Sequence, residues 1–92
     1  MKTGITITYF NGDSESFTAS TPEFVKWERK TGLKVTQLGE NVGLDDLLFL
    51  AYNAKKRELA GQPIKPYEIW CETVVDITVG ETEVPKVTAE EA

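Results

Sequence analysis

The sequence predicts an α+β fold, a small single domain in which an N-terminal β-hairpin packs on about three α-helices and a flexible acidic tail follows. Two patterns and one composition shift carry that prediction. Ile5, Ile7 and Tyr9 alternate with Thr6, Thr8 and Phe10 ahead of Asn11-Gly12, and two later segments, opening at Pro22 and Leu44, repeat apolar residues at helical spacing. From Gly80 onward "GETEVPKVTAEEA" has no aromatic residue, four glutamates and a proline. The globular domain is therefore expected over residues 1–79 and the tail over 80–92.

The hairpin is expected over about residues 3–19, with Asn11-Gly12 as a two-residue turn signal and Phe17-Thr18-Ala19 on the return strand. A first helix follows, over about 22–31. Thr21 offers an N-cap hydroxyl, Pro22 fits the first helical position, and Glu23 complements the positive end of the helix dipole. Arg29 and Lys30 suit its negative end, and Gly32 can take the left-handed conformation that stops a helix. Phe24, Trp27 and, past the stop, Leu33 form one apolar stripe, while Lys26, Glu28 and Lys30 point outward. Trp27 is thus read as core, held against Leu33 and the second helix.

That second helix is expected over about 44–60, with Asp45 and Asp46 in its first turn and Lys55, Lys56 and Arg57 near its last. Gly61 and Pro63 end it. Its middle, "LLFLAYNA", is apolar nearly all round: Leu44, Leu47, Leu48 and Ala51 share one face, and Phe49 and Tyr52 lie on another. Either the helix is central, between the hairpin and other helices, or its second face meets a partner subunit, which would make the chain a homo-oligomer. A third helix, over about 66–74, carries Tyr67, Ile69, Trp70 and Val74, although the β-branched run Val75 to Val79 equally fits an edge strand. Phe49, Tyr52, Tyr67 and Trp70 are the candidate partner-binding residues.

Composition narrows the chemistry. At 92 residues the chain can build one modest core, with 40% apolar and 27% charged residues, and its net charge of -5 lacks the basic face a phosphate-backbone binder needs. Nucleic acid is not an expected partner. The N-terminus has no apolar targeting segment, and the run Leu47 to Tyr52 is too short to cross a bilayer, so neither export nor a membrane is expected. Cys71 is the lone cysteine and there is no histidine, which excludes a His-containing metal site or a Cys-His dyad within one chain and leaves Cys71 as a small core residue. Asp45-Asp46 sit about a quarter-turn apart on a helix and are accounted for by the first-turn role. The glycines at 39 and 43 match neither a phosphate loop nor a dinucleotide fingerprint. No catalytic residue, cofactor or metal ligand is assigned, and an enzyme is not expected.

A resemblance goes further. "FVKWERKTG", then "LDDLLFLAYNAKKR", then "PYEIWCETVVDITV" resemble, in that order and spacing, the tail assembly chaperones of long-tailed bacteriophages and prophages. The matching positions are Phe24, Trp27, Glu28, Arg29 and Gly32, then Leu47 and Leu48 within Leu47 to Ala51, then Tyr67, Trp70, Val75, Asp76 and Ile77, spanning roughly Ile5 to Val79. One departure is Trp27, where the family more often has phenylalanine.

The resemblance implies a non-catalytic protein of the host cytoplasm that binds the tape measure protein, keeps it soluble during tail morphogenesis, and is absent from the mature virion. It also implies a longer product, made by a programmed frameshift near the end of the gene, whose extension contacts the tail tube protein. Val84-Pro85-Lys86 can be encoded by a slippery run, which makes a longer product sharing residues up to about Lys86 an expectation. Alternative readings are a small cytoplasmic adaptor or regulatory protein-binding domain, and a minor structural component of the virion tail or connector.

Overall fold

The computed structural model describes residues 2–40 and 42–83. Strand β1 (Lys2–Tyr9) turns into β2 (Ser14–Ser20), which runs directly into helix α1 (Thr21–Thr31); a 3-10 segment (Val35–Glu40) leads to α2 (Leu44–Leu59), the short α3 (Tyr67–Cys71) and β3 (Val74–Glu83). The three strands form one antiparallel sheet in the order β2-β1-β3, so the first strand of the chain is the central one. The fold is the α+β domain expected, with the sheet one strand wider than a hairpin.

Alternation along β1 sets the layers. Ile5 and Ile7 are buried on the helix side with Phe17 and Ala19 of β2, whereas the hydroxyls of Thr6 and Ser16 meet 2.9 Å apart on the other face. Helices α1 and α2 cover β2, and α2 reaches β1, adding Phe24, Trp27, Leu50, Ala51, Tyr52 and Ala54 to the core. Trp70 of α3 completes it. Helix α2 is therefore central, between the sheet, α1 and α3, with Phe49 left half-buried on its second face.

Several local expectations are corrected. Tyr9 N–H donates to Asp13 O, so the hairpin loop is Phe10-Asn11-Gly12, with Gly12 left-handed at φ 96° and Asn11 Oδ1 accepting from Asp13 N–H; it is longer than a two-residue turn. The N-cap of α1 is Ser20 rather than Thr21, because the Glu23 carboxylate reaches back to the Ser20 N–H at 2.8 Å. Gly32 stops α1 as expected, at φ 76° with its N–H on Glu28 O. Leu33 is 43% exposed and outside the core, since the chain turns away and the 3-10 segment supplies Val35 and Leu38 in its place. Glu28 does not simply point outward: its Oε2 accepts from Val35 N–H at 2.7 Å and fixes that segment.

At the end of α2 the left-handed turn begins at Ala60, φ 51°, ahead of Gly61. Helix α3 stops at Cys71, short of the expected residue 74, because Thr73 turns its N–H and hydroxyl onto Trp70 O and the β-branched residues beyond it pair with β1. The strand reading of Val75 to Val79 is the one observed. Strand β3 continues to Glu83, with Thr82 opposite Thr3 and Glu83 opposite Lys2, so strand pairing runs past the expected boundary at Val79. The remainder of the expected tail, including Val84-Pro85-Lys86, lies outside the described residues.

Candidate partner-binding site

The first turn of α2 is the junction on which the site is built. Its two aspartates, adjacent in sequence, face different elements. Asp46 accepts from Gly43 N–H through Oδ2 and from the Trp27 indole Nε1 through Oδ1, both at 2.9 Å, tying α1 to the start of α2. Trp27, 2% exposed, is thus a core residue with its one polar atom satisfied. Asp45 accepts from Lys30 Nζ at 2.9 Å and from Tyr67 hydroxyl at 2.6 Å, tying α1 and α3 to the same turn. Those two hydrogen bonds hold the Asp45 carboxyl below the usual carboxylate range, and burial beside it pushes the Tyr67 phenol up.

Around this junction the four aromatic candidates come together. Tyr67 lies edge-on to Phe49 at 6.3 Å and to Tyr52 at 5.2 Å, and Tyr52 packs on Trp70 at 5.5 Å. They divide by burial. Tyr52 and Trp70 are buried, the Tyr52 hydroxyl donating to Lys65 O, and both are core residues. Phe49 and Tyr67 are half-buried and line a shallow concavity of about 440 Å³ with Lys30, Asp45, Asn53 and Glu68. Lys30 Nζ sits 4.6 Å from the Phe49 ring centroid, a cation–π contact, so the floor is apolar and the rim carries both signs of charge. Leu44, 68% exposed, and Ile69, half exposed, are chain neighbours of the rim residues Asp45 and Glu68.

A second groove, of about 970 Å³, runs between the hairpin loop and the α2–α3 connection, with Phe10, Leu59, Pro63 and Ile64 in its walls. A relay spans it. Trp70 Nε1 donates to the Tyr9 hydroxyl at 3.2 Å, Tyr9 donates to Glu15 at 2.6 Å, and Lys55 donates to the same Glu15 oxygen at 2.9 Å. Burial and the Glu15 hydrogen bond push the Tyr9 phenol up to about 12, while Glu15 ends below its usual value because its two donors outweigh its desolvation.

Other positions that carry the resemblance serve the frame. Phe24 is buried, Leu47 and Leu48 pack partly against the core, Glu28 fixes the 3-10 segment, Gly32 stops α1, and Arg29 is exposed. Cys71 is half-buried, and burial pushes its thiol up, away from reactivity. Among the described residues no group of three or more carboxylates and cysteines is placed to hold a metal.

The pair that sequence reasoning missed is Glu23 with Arg57. The Glu23 side chain is fully buried, takes Arg57 Nε at 2.7 Å and Nη2 at 2.8 Å, and also caps α1. Its burial raises the carboxyl, but the Arg57 fork and the Ser20 N–H outweigh that and leave it lowered. The signal was present in Ser20-Thr21-Pro22-Glu23, the Ser-x-x-Glu pattern of a capping box. Comparisons with known families, curated proteins and solved structures return no match.

Proposed function

We propose that the chain is a phage tail assembly chaperone that binds the tape measure protein and keeps it soluble during tail morphogenesis, acting in the host cytoplasm without catalysis. The observation that supports this most is the concavity over Phe49 and Tyr67, an apolar floor with a mixed-charge rim, with the exposed Leu44 and Ile69 next in sequence to the rim residues Asp45 and Glu68. Such a surface suits an amphipathic helix, whose apolar stripe seats on the floor while flanking charges meet Lys30, Asp45 and Glu68. Among the described residues no helix is long and apolar enough to cross a membrane.

Co-expression tests the reading. The tape measure protein of the same genome should be recovered soluble in complex with the chain, and Leu44→Ser with Ile69→Ser should release it while leaving the fold intact. Recovery of soluble tape measure protein without the chain would overturn the reading. A short adaptor partner that binds the same surface would favour the alternative of a protein-binding regulatory domain.

A further inference from the structure

The two edges of the sheet are not alike. Strand β2 presents Ser14, Glu15, Ser16, Thr18 and Ser20, and α1 and α2 pack over it. Strand β3 is ten residues long, has no strand on its outer side among the described residues, and carries the β-branched row Val75, Ile77 and Val79. Ile77 packs partly on the core, but Val75 is 51% and Val79 41% exposed, because the helices lie over β2 and β1 and stop short of β3. A long edge with exposed apolar residues and no lysine or proline is a template for another strand.

From this we infer that β3 is the pairing edge of a homodimer, in which a second copy adds antiparallel to β3 about a dyad at Ile77. The ladder with β1 is regular over Asp76 to Val79 and bulged on either side, so this is the straight part of the strand. The self-complementary register of the strand selects the second copy as occupant. An antiparallel pairing centred on Ile77 places Ile77 opposite its mate, Val75 opposite Val79 and Asp76 opposite Thr78, and Glu81 and Glu83 fall beyond the paired residues. No carboxylate faces another, and each exposed valine meets an apolar partner. A dyad perpendicular to the sheet puts both helical layers on one side of a six-stranded sheet, and the apolar seam lies between them. The strand that covers β3 is thus its own copy, a use of the edge independent of the concavity over Phe49.

Sedimentation equilibrium of the full chain over a wide concentration series tests the inference. The wild type should approach twice the 10.3 kDa chain mass. Added salt should tighten the dimer, since each copy carries a net charge of -5. Val75→Lys and Val79→Lys should each weaken it at least about tenfold, because the two-fold axis makes every substitution count twice. Far-UV circular dichroism of the dilute variants should match the wild type. Should a lysine variant fail to fold, amide exchange of the wild type decides: protection at residues 75–79 must rise with concentration while β2 stays unchanged. A wild type that remains at the single-chain mass, a dimer that survives both lysine changes, or protection that rises on β2 instead overturns it.

Discussion

The seam between α1 and α2 and the side of the molecule bounded by α3 and β3 solve the same problem by different means. At the seam every polar group that is buried has a named partner: Glu23 with Arg57 and Ser20 N–H, and Trp27 Nε1 with Asp46. Across α3 and β3, apart from the hydrogen bonds of Tyr67 to Asp45 and of Trp70 to Tyr9, the contacts are aromatic edges and β-branched side chains, and several large apolar residues stay exposed. The difference teaches where rigidity and where spare surface reside. A buried carboxylate tolerates only one geometry, so it fixes the angle between helices, whereas aromatic and aliphatic contacts accept a partner without leaving a charge unpaired.

Breaking the seam should have the largest effect. Trp27→Ala removes a buried indole and should cost about 3–5 kcal/mol in urea unfolding, enough to abolish the fold of so small a domain. Trp27→Phe keeps most of the ring and leaves Asp46 with its Gly43 N–H, so it should cost about 1–2 kcal/mol. Glu23→Ala should come next, at about 2–3 kcal/mol, since it removes the cap of α1 and the fork of charge-assisted hydrogen bonds at once. Arg57→Leu should also destabilise, by leaving the Glu23 carboxylate buried with only the Ser20 N–H.

Acid should act on the seam and on both grooves. Glu23, Glu15 and Asp45 all have folded-state values below their unfolded ones. Their contribution is complete above the unfolded carboxylate range, about 4, and is lost as pH falls through the lower folded values. Urea midpoints should therefore be flat from neutral pH to about 5 and fall below about 4, and Glu23→Gln should flatten that fall.

These outcomes bear on what the sequence makes legible. Helix limits at Gly32 and in the first turn of α2 and the core role of Trp27 follow from periodicity and capping, which are local properties, whereas the all-round apolar middle of α2 leaves its central place open. The partners of Trp27 and Glu23 lie 19 and 34 residues away, and no local pattern encodes them. Strand β3 is the instructive case. Its β-branched residues announce a strand, but its pairing with β1 spans nearly the whole chain, and Gly80 looks like an ending because glutamates follow it. The four aromatic candidates do meet in one cluster, but sequence does not show that Tyr52 and Trp70 are enclosed in the core while Phe49 and Tyr67 remain accessible.

On the open side the effects on stability should be small. Leu44→Ser, at a mostly exposed position, should change unfolding free energy by less than about 0.5 kcal/mol. Of opposite sign is Ala60→Gly: Ala60 is left-handed at φ 51°, so glycine there should stabilise by about 0.5–1 kcal/mol after its greater unfolded-state freedom is counted. Loss of stability in that variant would show that the Ala60 methyl makes a contact outweighing the backbone strain.

The claim that one side is frame and the other is binding surface is tested most directly by methyl NMR of the chain with and without the tape measure protein. Leu44 and Ile69 methyl signals should shift or broaden on binding, and Ile5 and Ile7, buried under the helices, should hold their positions. Binding that leaves Leu44 and Ile69 unmoved, or that perturbs Ile5 and Ile7 first, would contradict the account.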